Sequence, residues 1–248
     1  MKVLKVFTIT LYIGTLVLAT SCTKEDNGTN RVNIPSSVSV KVGSSVNLGY
    51  VQEWQTSRKF VATVTGEGLI TGKHVGSCTI SCGNASCNVT VNPATTLFTD
   101  PVVKWGASKS YVISIEGTPD TQTETAIKYQ TNHTIAPVRM YAFDDNGRLE
   151  GAVIAIKIAY AVDVIDHITE RYYPIGERDD VFYFLDGYSV DEATTIVAYE
   201  YYNSSYYWLM YMPNNISKGI SEQTTSLPNA ADVLRELFVV ADLQSAIE

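Results

Sequence analysis

Acidic and histidine side chains at short spacings are the first places to look for chemistry in this chain. Asp163 and His167 stand four apart with Asp166 beside the histidine, a helical spacing at which two ligands can reach one metal ion. No third ligand accompanies them, so an exposed helical face is expected there. Gly187-Tyr188-Ser189-Val190-Asp191 approaches a nucleophile elbow, but Asp191 stands where the tight turn needs a second glycine, and a hairpin loop is expected instead. Asp144-Asp145-Asn146-Gly147 offers oxygen ligands without the longer loop and distal glutamate of an EF-hand, and Asn-Gly between two strands is hairpin chemistry. Glu177, Asp179 and Asp180 include pairs that could serve glycoside hydrolysis, yet acids cluster by chance in a region this rich in them. His74 and His133 extend none of these groups. The chain is therefore expected to be no enzyme and to need no cofactor or metal. A polysaccharide or peptide hydrolase, with Asp163 and His167 as its best pair, is the enzymatic alternative.

The formal charge of -8 over 248 residues removes the attraction that nucleic acid or an anionic membrane surface would need. The charge is unevenly spread. Val32 to Pro93 holds 4 basic and 2 acidic residues, whereas Ala94 onward holds 10 basic and 22 acidic ones, and 14 of the 16 tyrosines follow Pro93. That shift marks a boundary at the Pro93-Ala94-Thr95-Thr96 linker.

Lys2 and Lys5 precede an apolar run from Val6 to Leu18, shorter than the roughly 20 residues of a membrane-spanning helix and followed by small residues, as in a cleaved export signal. Leu18-Ala19-Thr20-Ser21-Cys22 resembles the lipobox of bacterial lipoproteins, with Ala19 where the family usually has leucine; relaxed boxes of this kind resemble those of Bacteroidetes. The resemblance implies a signal peptide over 1–21, acylation of Cys22, and a membrane anchor made of lipid rather than of polypeptide. Thr23-Lys24-Glu25-Asp26-Asn27 resembles the acidic tag that sends such lipoproteins to the outer face of the outer membrane. Residues 22–31 then form an acylated tether.

Over 32–93 short β-branched runs alternate with Gly, Ser and Asn, the pattern of an all-β sandwich. Trp54, Val61 to Val64, Gly68-Leu69-Ile70-Thr71-Gly72, Gly76 to Ile80 and Val89 to Val91 together resemble the group 2 bacterial immunoglobulin-like domain. That family implies a spacer or adhesive module without enzymatic activity. With Gly83-Asn84-Ala85-Ser86 as a hairpin loop, Cys82 and Cys87 face each other, and in an exported protein a cross-strand disulfide is expected. Cys78 would then stand opposite Val91 as a buried free thiol.

Residues 94–248 show one supersecondary unit used twice, with a period of about 55 residues. A helix over Ala107 to Ile115 precedes strands at Ala126 to Gln130, Val138 to Phe143 and Leu149 to Ile158; a second over Ala161 to Tyr172 precedes strands at Val181 to Leu185, Thr194 to Tyr202 and Tyr206 to Met212. Two α-β-β-β copies predict an α+β domain, one antiparallel sheet with helices on one face. With Lys104-Trp105-Gly106 leading into the first helix, this order resembles the tandem repeats of the β-lactamase inhibitory proteins and related lipoproteins, whose helix-free sheet face grips another protein. The last two strands carry large residues on both faces. Tyr199, Tyr201, Tyr207 and Tyr211 are the candidate ligand contacts if their face is open; alternatively it is covered by a helix opened by Ser226-Leu227-Pro228, with Val233, Leu234, Leu237, Phe238 and Ala241 on one side. The expectation is a non-enzymatic surface lipoprotein of the outer membrane, its immunoglobulin-like spacer presenting a domain that binds a protein or glycan. A periplasm-facing envelope assembly or maintenance lipoprotein is the alternative.

Overall fold

The computed structural model of the chain describes residues 33–49 and 52–214. The leader, Cys22, the tether and the helix expected from Ser226 lie outside the described residues. The described chain is mostly β and forms three sheets.

The first two sheets come from the Val-rich, Gly-punctuated part. Strands β1 (Ser37–Lys41), β2 (Ser45–Asn47), β3 (Gln55–Thr56), β4 (Ala62–Val64), β5 (Leu69–Gly72), β6 (Gly76–Cys82) and β7 (Ala85–Asn92) divide into a four-stranded sheet ordered β1-β7-β6-β3 and a three-stranded sheet ordered β2-β5-β4. β1 runs parallel to β7, and the remaining pairs are antiparallel. Along β7 the alternation is strict: Cys87, Val89 and Val91 point inward and the polar residues between them point out. They meet Val61, Ala62 and Ile70 in one core. Gly72 permits the close approach of the sheets, because a Cβ there would lie 2.8 Å from the Lys41 carbonyl oxygen and 2.9 Å from Val91.

The hairpin register departs from the expected one. Cys82 lies opposite Ala85 and Cys87 opposite Ile80, so the turn consists of Gly83 and Asn84 alone, with Gly83 at φ 53°. Shortening the turn by two residues slides Cys87 away from Cys82, and Cys78, Cys82 and Cys87 are all free thiols. Cys78 faces Val89, not Val91.

The rest builds one eight-stranded sheet. After α1 (Lys109–Glu116) come β8 (Thr121–Gln122), β9 (Ala126–Gln130), β10 (Val138–Phe143) and β11 (Leu149–Lys157); after a 3-10 turn (Ile158–Tyr160) and α2 (Asp163–Thr169) come β12 (Tyr173–Arg178), β13 (Val181–Leu185), β14 (Thr195–Tyr201) and β15 (Tyr206–Pro213). The order β12-β13-β14-β15-β11-β10-β9-β8 places the last strands of the two copies side by side at the centre and mirrors the rest outward. Each copy thus contributes four strands, one more than its pattern predicts. β8 and β12 are the outermost pair, and β12 contains the Pro174-Ile175-Gly176 segment that reads as a helix stop. At an edge the missing Pro174 amide costs no ladder bond, and the register slips between Pro174 and Gly176.

Ser108 caps α1 by accepting from the Tyr111 amide at 3.2 Å, and Gly117, at φ 91°, closes it. Both helices lie on one sheet face, where Val112, Val164 and Ile168 pack with Ile127, Tyr141, Ile154, Leu209 and Tyr211. The two units touch directly. Phe60 stacks on His74 at 4.0 Å, Tyr188 meets both edge-on, Arg58 donates to the Asp186 carbonyl at 2.8 Å, and the Val75 amide donates to the Glu170 carbonyl at 2.8 Å.

Candidate functional site

The four candidate tyrosines share one side of the sheet, and it is the side that carries the helices. Tyr199 and Tyr211 are core residues at 2% and 0% exposure, enclosed with Phe98, Val164 and Tyr172. Tyr199 donates its hydroxyl to the Ala161 carbonyl at 3.0 Å, which ties β14 to the entry of α2, while Tyr211 meets Tyr172 edge-on at 5.9 Å. Burial raises both phenols above their ordinary range. Their expected role as ligand contacts is corrected: α2 sits over them.

Beyond the start of α2 the same face emerges into solvent. Tyr201 is 49% exposed and Phe182, opposite Tyr199 on the neighbouring strand, is 40% exposed. Half-buried Tyr207 joins the outer and inner rings, stacking on Tyr199 at 4.9 Å and meeting Tyr201 edge-on at 5.5 Å. The turn bearing exposed Ile158 and Val162 crosses this end of the sheet, held where the Ile158 amide donates to the Ser205 carbonyl at 2.9 Å. The result is an apolar, tyrosine-rimmed platform whose inner rings are fixed in the core. Such a platform offers flat aromatic area and phenol tips with few torsions to freeze on binding. Phe182 escapes sequence reading because its alternation partners are equally apolar; cross-strand register alone places it beside the tyrosines.

The groups with possible chemistry fall elsewhere and into structural roles. His167 is buried, not on an exposed helical face as expected, and Asp163 is exposed at the start of α2, so the two do not converge. The Leu97 amide donates to His167 Nδ1 at 3.4 Å, which puts the ring proton on Nε2, 3.4 Å from Asp100. Arg171 Nε donates to the other Asp100 oxygen at 2.7 Å. Burial alone would raise the Asp100 carboxyl, but the His167 hydrogen bond and the Arg171 guanidinium more than offset it and hold the pKa below its ordinary value. The group clamps the linker onto α2, helped by Glu170 Oε2 accepting from the Ala94 and Thr95 amides at 2.9 Å each. A second clamp joins α1 to β10: Arg139 holds both Glu116 carboxylate oxygens at 2.7 and 2.8 Å, and Tyr141 donates to the same carboxylate.

Asp144 accepts from the Asn146 and Arg148 amides and shapes the β10–β11 turn, as Asn-Gly chemistry predicts. Asp179 and Asp180 form the two-residue β12–β13 turn, both with positive φ, at 53° and 63°. Gly187 to Asp191 lies in the β13–β14 connection. Among the described residues no three His, Cys, Asp or Glu side chains gather to hold a metal ion, and no helix is long and apolar enough to cross a membrane.

No protein-family model and no curated protein matches the chain. Among solved structures, one described as surface layer protein SbsC, domains 1-6, is 14% identical over 71% of this chain and 20% of its own, with a TM-score of 0.19. The S-layer protein SbsC, domains 5-6, is 15% identical over 76% of this chain and 86% of its own, again with a TM-score of 0.19. The chain thus spans about a fifth of the first of these, and similarity at that level carries no argument about fold or activity.

Proposed function

We propose that the protein is a non-enzymatic lipoprotein of the bacterial cell surface: Cys22 carries the lipid, an immunoglobulin-like spacer stands above it, and an α+β domain binds a protein or glycan. One observation carries the binding role. Phe182 and Tyr201 are exposed at an end of the sheet that both helices leave uncovered, Tyr201 braced edge-on by half-buried Tyr207. Ordinary surfaces hold single exposed apolar residues; an aromatic group anchored on core rings marks a contact surface. The separate roles of His167, Asp163, Glu177, Asp179 and Asp180, each in a clamp, a turn or a solvated position, favour recognition over hydrolysis.

The test is capture of outer-membrane and extracellular material by the mature chain with Cys22→Ala, beside the same chain with Phe182→Ser and Tyr201→Ser. Because both side chains are exposed rather than core, the variant is expected to keep its circular dichroism and thermal midpoint. Loss of a specific protein or glycan from the captured set supports the reading, and identical captured sets refute it. Radiolabelled palmitate should enter the chain in cells only while Cys22 is present, and protease added to intact cells should digest it. Survival under that protease would place the protein on the periplasmic side.

A further inference from the structure

The sheet face opposite the helices is as apolar and as dry as the face beneath them. Met140, Val153, Ala155, Ala198, Trp208 and Met210 form its centre, with Ala198 and Met210 at 0% exposure, and Lys128 among them is 1% exposed. The α1 and α2 side chains belong to the other cluster, and the immunoglobulin-like unit has a core of its own. Side chains as long as methionine and lysine do not reach 0% and 1% exposure on a bare sheet face, which calls for a further layer against it.

The chain itself supplies a segment at the right place and of the right length. It leaves β15 at Asn214, whose side-chain Nδ2 donates to the Val190 and Ala193 carbonyls at 2.6 and 2.9 Å, and residues 215–248 follow. Within them Val233, Leu234, Leu237, Phe238 and Ala241 recur at i, i+1, i+4, i+5 and i+8, one apolar stripe at helical spacing. Sixteen helical residues would reach about 24 Å, and the six strands from β13 to β9 that carry the cluster span about the same distance at roughly 4.8 Å per step.

We propose that this face is the docking site of the chain's own segment 215–248, seated through Val233, Leu234, Leu237, Phe238 and Ala241. The domain is then a three-layer structure in which both sheet faces are core, and recognition is left to its edges and ends. This inference stands apart from the proposed binding role and survives if that role fails.

Three of the four methionines, Met140, Met210 and Met212, lie on this face, so peroxide oxidation read by peptide mass spectrometry reports on its cover. In the full mature chain Met140 and Met210 should oxidise slowly, and Leu237→Asp with Phe238→Asp should speed both by roughly tenfold or more. Unchanged protection in that variant overturns the proposal. Since the double change could unfold the domain, a photo-reactive benzoylphenylalanine at position 238 of the otherwise native chain gives a second reading. Intramolecular cross-links to peptides holding Met140, Val153 or Met210 are expected. Cross-links to α1 or α2, to a second copy, or none at all overturn the proposal.

Discussion

The Tyr211 hydroxyl is fully buried and finds no hydrogen-bond partner among the described residues. An unpaired buried hydroxyl costs about 1–3 kcal/mol, so Tyr211→Phe should stabilise the protein by about 1 kcal/mol in urea unfolding. Tyr211→Ser removes the ring and leaves a cavity, and should cost about 3–5 kcal/mol in the same measurement. A ligand-contacting tyrosine would show the reverse pattern, with both changes harmless to stability and harmful to binding. At Asp100 the sign with pH is set by its lowered carboxyl. A carboxylate held below its unfolded value near 3.9 contributes stability that is complete above that pH and is lost as pH falls through the depressed folded value. Asp100→Asn should therefore lower stability at pH 7 and flatten its decline below pH 4, as read from urea midpoints across that range.

Turns decide how the elements meet. Asp179 and Asp180 close the β12–β13 hairpin with both residues in the left-handed region, which an Asn-Gly pair occupies without strain. Asp180→Gly should raise the unfolding free energy by about 0.5–1 kcal/mol, whereas Asp180→Val should lower it by about 1 kcal/mol or more. In the first unit the two-residue Gly83-Asn84 turn sets which cysteine faces which residue, and the expected disulfide fails on that count alone. Gly72 marks a close approach between the sheets. A methyl group there meets backbone oxygen and valine side chains at or under 3.0 Å, so Gly72→Ala should cost about 1–3 kcal/mol, measured by thermal unfolding.

Across the whole molecule, a ring cluster and a few polar contacts couple the two folded units. His74 lies in that cluster, its Nδ1 donating to the Phe60 carbonyl at 2.8 Å. Burial is the main cause of its lowered pKa; the hydrogen bond to Phe60 opposes the shift and nearby Lys73 adds to it. Arg58, Asp186, Glu192, Tyr173 and Tyr188 are the other ionisable groups gathered around the cluster. A histidine depressed in the folded state contributes stability above its unfolded value near 6.5, lost as pH falls through the lower folded value. Mild acid should therefore loosen the contact between the units, seen as faster proteolysis at the 93–96 linker, and His74→Phe should remove that pH dependence while keeping the stack.

Much of this architecture was legible in the local pattern. Alternating valines, Gly-rich turns and the repeated order of one helix and three strands are set by steric and hydrophobic preferences acting over a few residues, and they locate both units and most of the strands. Local pattern was silent where a residue's neighbours are distant in the chain. Pro174-Ile175-Gly176 carries the same stop signal whether a helix ends there or an edge strand begins, and only the place of β12 at the sheet margin makes the missing amide harmless. The alternation of Tyr199, Tyr201, Tyr207 and Tyr211 assigns all four to one face with equal force. Tertiary packing divides them, because α2 is short: it covers Tyr199 and Tyr211, its first turn does not reach back over Tyr201, and so it makes two of the rings core and leaves one in water.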